Sequence, residues 1–221
     1  MKRILLLMAL VLTTPALAEE RQCRQTIFSL TPPVFSLVRV HESAPHVYDG
    51  SKWQPSCPWD IVHCTSKTSY FRAGRLGLAA AFEKELVCIV EIDQDNEGQS
   101  AWIEERHVTR LRQKSSQAMS DWTGTWSHFD DKITIYQNEK DLKVAGSAVW
   151  QGPTIDHFGD FSGVSKPNGS HLAIKSGEAC KVAMTLVGQF LVVADNQNCG
   201  GLNVTFRGIY SRVKRGSRPG R

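Results

Sequence analysis

Beyond residue 18 the chain has no apolar run near the roughly 18 uninterrupted residues a membrane-spanning helix needs, so stable insertion by a helix is not expected. It has no C-x-x-C and no histidine pair at zinc spacing, which argues against a zinc centre. The G-x-S-x-G of a serine-hydrolase elbow is missing too. Nor is there a strong charge of one sign: 26 Lys and Arg stand against 22 Asp and Glu. Five of the basic residues, Arg212, Lys214, Arg215, Arg218 and Arg221, crowd the last eleven positions. With that tail, Lys2 and Arg3 set aside, the body holds 19 basic residues to 22 acidic. A mildly acidic body argues against a nucleic-acid-binding fold, which would carry its positive charge as a surface patch. No catalytic set, metal or cofactor is expected.

What is present begins with residues 1–18. Lys2 and Arg3, the apolar Ile4–Leu12 run and Ala16-Leu17-Ala18 make up the three parts of a cleavable secretory signal. Glu19 rather than cysteine follows, so the lipoprotein form is not expected. The mature chain is thus expected in a bacterial periplasm or outside the cell. All six cysteines lie in that region: Cys23, Cys57, Cys64, Cys88, Cys180 and Cys199. An even count in an oxidising compartment predicts three disulfides, and six cysteines allow fifteen pairings. Nearness in sequence pairs Cys57 with Cys64 and Cys180 with Cys199, leaving Cys23 for Cys88. With every thiol committed, a cysteine hydrolase is not expected.

Two β-rich blocks follow, at 19–112 and 121–212, joined by a polar linker at 113–120 and trailed by a basic flexible tail at 213–221. In the first block an irregular lead-in containing Thr31-Pro32-Pro33 precedes short strands at Tyr70–Leu78, Leu86–Ile92 and Ser100–Ile103. Ala79-Ala80-Ala81 favours a helical turn between Leu78 and Lys84. The second block alternates strictly. Ile133 and Ile135, then Leu142, Val144, Gly146, Ala148 and Trp150, then Leu172 and Ile174, then Val182, Met184 and Leu186, then Leu202, Val204 and Phe206 fall on one face of successive strands. This period of two, broken by turn signals such as Asn138-Glu139-Lys140 and Pro167-Asn168-Gly169, predicts an antiparallel meander. Strands at Trp122–Trp126, Phe158–Val164 and Phe190–Ala194 bring the number to about eight, enough to close a small barrel. Strands this short predict a barrel filled by its own side chains.

Phe71-Arg72-Ala73-Gly74, the Val87–Ile92 strand and Ala101-Trp102-Ile103 followed by Glu104–Leu111 resemble, over about fifty residues, the bacterial SH3-like domain. That family runs from a leucine-x-x-glycine turn through a central hairpin to a glycine-tryptophan-isoleucine strand and a closing helical turn. Arg75 stands where the family has an acidic residue, and Ala101 where it has glycine. In the second block, Gly124-Thr125-Trp126 is similar to the glycine-x-tryptophan that opens lipocalin-like and avidin-like barrels. The resemblance implies that Trp126 closes one end under a basic residue of the last strand, Arg207 or Arg212, by a cation–π contact. Cys57-Pro58 to Cys64, and Asp195 to Tyr210, resemble segments of a set of secreted proteobacterial proteins. The fold expected is therefore all-β: an SH3-like small barrel followed by an antiparallel up-and-down barrel of about eight short strands.

Two acid–histidine clusters, His128-Phe129-Asp130-Asp131 and Asp156-His157-Phe158-Gly159-Asp160, have the residue types for cation binding or general base work. Both fall where turns are expected, and Asp, Gly and His are ordinary turn residues. SH3-like surfaces commonly hold extended peptides on aromatic side chains, so Trp53, Trp59, Tyr70 and Trp102 are the candidate ligand-binding residues, with Trp102 also readable as core. The function expected is a non-enzymatic binding or scaffold protein whose partner is a peptide, peptidoglycan or a periplasmic protein. A small-ligand carrier using the barrel interior, and an inhibitor of cell-wall hydrolases presenting a disulfide-braced loop, are the alternatives.

Overall fold

The computed structural model describes residues 23, 27–45, 70–83, 85–92, 97–113 and 117–213. The fold is all-β, with a five-stranded half-barrel and an eight-stranded barrel. The first seven strands are β1 (Ser36–Val40), β2 (Ala44–Pro45), β3 (Tyr70–Phe71), β4 (Leu76–Glu83), β5 (Leu86–Ile92), β6 (Glu97–Glu104) and β7 (Val108–Arg110). Five of them form an antiparallel sheet in the order β6-β5-β4-β1-β7, and β2 pairs with β3 beside it. A 3₁₀ turn at Glu105–His107 carries β6 into β7.

Leu-Val-Cys-Ile-Val in β5 is buried on both faces, because the sheet has an apolar layer on each side. Leu86, Cys88 and Val90 enter one layer, and Val87 and Ile89 enter the other. Gly77 in β4 lets the sheet pack tightly there, since a Cβ at that position would run into the Ile89 side chain. The helical turn expected at Ala79-Ala80-Ala81 is a strand instead, since pairing with both β1 and β5 outweighs alanine's local preference. The expected Tyr70–Leu78 strand is interrupted at Gly74, whose φ of +85° makes a turn and whose N–H donates to the Val40 carbonyl at 2.7 Å.

A short helix, α1 (Met119–Trp122), leads into the second sheet. Its strands are β8 (Gly124–His128), β9 (Asp131–Asn138), β10 (Asp141–Trp150), β11 (His157–Ser165), β12 (His171–Ser176), β13 (Cys180–Val187), β14 (Phe190–Asp195) and β15 (Gly208–Arg212). Consecutive strands pair antiparallel except at one place, and β15 returns to pair with β8. The exception is a seam between β11 and β12. There Ser162 donates its N–H to the Ser176 hydroxyl at 3.1 Å, and Gly163 lies so close to Ile174 that a Cβ would meet its Cγ2 at 2.7 Å. The barrel is nearly closed.

The alternation read from sequence holds for β9, β10, β12 and β13: Ile133, Ile135, Leu142, Val144, Leu172, Ile174, Val182, Met184 and Leu186 are interior. Two positions of the meander differ. Trp122 belongs to α1, not to a strand, and plugs the barrel fully buried. The strand expected at Leu202–Phe206 is a loop, and the last strand is instead Gly208–Arg212. The reason is Asp195, whose buried carboxylate accepts from the N–H of Phe206 at 2.8 Å and the hydroxyl of Thr205 at 2.9 Å. These bonds fold the 195–207 segment inward, where Val204 and Phe206 fill the barrel end.

The two sheets share a core. Val187, Phe190, Val192, Ala194 and Ile209, on the outer face of the β13-β14-β15 wall, pack in one cluster with Ile27, Phe28, Leu78, Leu86 and Trp102. Cys23 is bonded to Cys88 and Cys180 to Cys199, as expected; Cys57 and Cys64 lie outside the described residues. Residues 1–18 and the 214–221 part of the tail lie outside them as well. No described helix is long and apolar enough to cross a membrane.

Candidate functional site

Because the strands alternate in direction, the barrel has two distinct ends. At the first, Trp126 is fully buried, its indole N–H donates to the Trp122 carbonyl at 2.9 Å, and the Arg212 guanidinium lies 4.4 Å from its ring centroid. Arg212 also donates to the carbonyls of Thr123 and Asp121. Of the two arginines expected over Trp126, Arg212 takes the place. Arg207 is engaged elsewhere, donating to the Asp195 carbonyl at 3.3 Å and lying 3.6 Å from its carboxylate.

The second end gathers the β8–β9 turn, the 151–156 loop, the β12–β13 turn and the 196–207 loop. The last crosses the barrel mouth to β11: Gly201 donates to the Phe158 carbonyl at 3.0 Å, and Gly200 bridges Gly159. A Cβ on Gly159 would meet the Cys199 carbonyl oxygen at 2.6 Å, so only glycine permits the crossing. Underneath, Phe206 meets Phe161 edge to face at 4.7 Å, and the Cys180–Cys199 bond anchors the loop. The mouth is sealed.

Four bulky apolar side chains nevertheless remain in solvent here: Phe129 (67% exposed), Ile155 (66%), Phe158 (70%) and Leu202 (70%). Phe129 also has a φ of +50°, a left-handed conformation that is a steric outlier for a bulky aromatic residue. A residue that is exposed and strained at once contributes little to folding. The two-residue β8–β9 and β9–β10 loops both take a positive φ, at Phe129 and at Glu139 (+53°), and only the first places a bulky apolar side chain there.

Both acid–histidine clusters come to this end, as turn and strand-end residues. His128 is buried, its ring 4.6 Å from Phe129 and 5.3 Å from Tyr210 by centroid, while His157 meets Trp150 edge to face at 5.3 Å. Asp131 accepts the Val149 N–H at 3.1 Å, and Asp130 accepts from the Gln151 amide at 3.3 Å. Burial pushes the Asp131 carboxyl up to about 6, opposed by the Val149 hydrogen bond and helped by the nearby negative charges of Asp130 and Asp195. Among the described residues no three His, Cys, Asp or Glu side chains converge as metal ligands.

Of the aromatic residues expected to hold ligand, Trp53 and Trp59 lie outside the described residues, and Tyr70 has only its backbone in β3 described. Trp102 is core. It is 6% exposed, packed in the cluster that joins the two sheets, which leaves it no open face for a peptide. The exposed quartet escaped the sequence reading. Phe158 was placed in a strand and Leu202 in the core, and the available signal was an apolar residue followed by aspartate within a turn, as in Phe129-Asp130 and Ile155-Asp156.

The concave sites are modest. A cleft of about 260 Å³ between the sheets has Phe35, Leu186 and Val187 at its base with Gln113, Gln117 and His171 around them, and the His171 Nδ1 lies 3.0 Å from the Thr185 hydroxyl. This is smaller than the usual small-molecule site. A shallow depression by Glu85 and Glu105 contains the Arg106–Glu104 ion pair, at 2.9 Å. Comparison with protein-family models, curated proteins and solved structures returns no match to this chain.

Proposed function

We propose that the protein is a non-enzymatic binding or scaffold protein of a bacterial periplasm or the cell exterior, and that it holds a protein partner through the loop-covered end of its barrel. The observation that carries this reading is the gathering of Phe129, Ile155, Phe158 and Leu202 at one end, where they are the four most exposed large apolar side chains of the barrel. Its others, Tyr136, Val164 and Val213, lie on or toward the opposite half and are less exposed. Large exposed apolar groups clustered at one place mark interaction sites. Residues 1–18 act as the secretory signal, and the two disulfides fit the oxidising compartment it implies.

Architecture follows the same reading. The five-stranded sheet, with its 3₁₀ turn leading into a short last strand, is an SH3-like domain, and the barrel with Gly124, Trp126 and Arg212 is of the lipocalin or avidin kind. The barrel interior is occupied by twenty buried side chains, which weighs against a carrier. An inhibitor of cell-wall hydrolases would use the same end, because Leu202 rides on a loop tied by Cys180–Cys199.

A photo-crosslinking residue introduced at Leu202, compared with one at Val164 on the barrel wall, tests the site. Protein adducts formed in the native compartment from position 202 and not from 164 are expected. Equal labelling from the two positions, or none from 202, would overturn the reading.

A further inference from the structure

We infer that the partner presents a cationic polypeptide surface carrying apolar side chains, an inference that rests on the barrel-end reading above. The charge around the quartet decides this. The loops of this end carry Asp130, Asp156 and Glu178, with Asp131 and the buried Asp195 at the adjoining strand ends, against one guanidinium, that of Arg207. Arg207 is turned to Asp195, with its Nε 3.6 Å from the carboxylate, so its charge is spent within the loop. Asp130, Asp156 and Glu178 are exposed, and Asp160 follows Phe158 on the outer face of β11. The nearest lysines, Lys132, Lys175 and Lys181, belong to strands and alternate with interior Ile133, Ile174 and Val182, which sets them on the barrel wall.

The apolar side chains form one tract with these acids. Asp130 reaches Gln151, Gly152 lies against the Ile155 carbonyl and the Trp150 ring with no room for a Cβ, Trp150 meets His157, and Gly201 packs on His157 beside Leu202. Phe129 stands at one limit of the tract and Leu202 at the other. An acidic rim around protruding apolar groups repels anionic lipid and acidic protein, and it attracts a chain in which Arg or Lys neighbours an aromatic or aliphatic residue. Rim charges steer association and fix its salt dependence, while the apolar contacts hold the complex.

The whole chain, immobilised, is used to select from a displayed library of random peptides. Selected peptides are then measured against wild type, against the combined Asp130→Asn, Asp156→Asn and Glu178→Gln variant, and against the Ile155→Ser, Leu202→Ser variant, each first shown by circular dichroism to melt with the wild-type transition. Both variants change only exposed positions, so the fold is retained. We expect peptides enriched in Arg or Lys next to Trp, Phe or Leu. Their binding should weaken about tenfold in the charge variant, and similarly when salt rises from about 50 to about 500 mM. Neutral or acidic peptides that depend on Ile155 and Leu202 but not on the three acids would overturn this inference while leaving the binding site standing. Peptides indifferent to both variants, or no enrichment, would overturn the inference and the barrel-end reading together.

Discussion

The two ends of the barrel are closed by the same means, a segment laid across the mouth with aromatic side chains beneath it, yet they treat their remaining apolar groups differently. At the α1 end Trp122 and Trp126 are both fully buried, and Arg212 covers Trp126 while also bonding the backbone carbonyls of Thr123 and Asp121. Toward this end the wall exposes Tyr136 and Val164 on either side of Lys143, and Val213 beyond β15. At the other end Val204 and Phe206 are just as buried as the tryptophans, but four side chains on the loops and strand start, Phe129, Ile155, Phe158 and Leu202, are each about two-thirds in water. Sealing the barrel needs only the buried kind of residue. The contrast teaches that the loops of the second end carry apolar area in excess of what sealing the barrel requires, and one member of that excess, Phe129, also sits in a left-handed backbone conformation.

The largest test of that contrast is Trp126→Ala. A cavity under Arg212 should lower stability by about 3–5 kcal/mol, a large part of what a domain of this size has in total. Urea unfolding followed by circular dichroism would show the midpoint falling steeply. An unchanged midpoint would mean that this end does not hold the barrel closed.

The second concerns pH at the exposed end. The folded-state pKa of Asp131 is raised to about 6 from the ordinary 3.8, so the folded protein binds more protons than the unfolded chain between those values, and stability must fall as pH rises through that window. Asp131→Asn keeps an oxygen for the Val149 N–H and removes the titration. The variant should therefore gain on wild type from pH 4 to pH 6, by on the order of 1 kcal/mol once solvent screening of this half-buried group is allowed for. Parallel urea midpoints for the two proteins across that range would refute it.

The smallest effect has the most telling sign. Phe129→Gly releases the left-handed strain and removes an exposed ring, so stability should rise by about 0.5–1 kcal/mol, measured as a higher urea midpoint. Binding at this end should weaken in the same variant. A fall in stability would show that Phe129 serves the fold, and the two ends would then differ less than they appear in shape.

How much of this was legible beforehand depended on whether a residue's partner lay in its own hairpin. Ile133, Ile135, Val144 and Met184 announced an interior by alternation, because a strand with one wet face must alternate. Leu191-Val192-Val193-Ala194 was readable as a strand but not as a wall buried on both sides, although an unbroken apolar run is the pattern of such a strand. The layer that covers it is supplied by Ile27, Leu78 and Trp102, distant in sequence. Leu202 looked interior because it keeps the period of Val204 and Phe206. What moves it outside is Asp195, a polar residue whose hold on Phe206 and Thr205 no period reveals.

The pairing of β8 with β15 has a further consequence, in the order of folding. Every other hydrogen-bonded neighbour in the barrel is the next strand along the chain, across connections of two to twelve residues. The β8–β15 ladder pairs Ser127 with Ser211 and Trp126 with Arg212, by far the longest closure in the set. Non-local pairings of this kind slow folding, because chain entropy is lost before the contacts that offset it are made. Until Arg212 reaches Trp126, β8 presents an open edge, and open edges recruit other chains. Arg212 therefore acts as the latch on the least local pairing, and aggregation during refolding should be most sensitive to changes in β15.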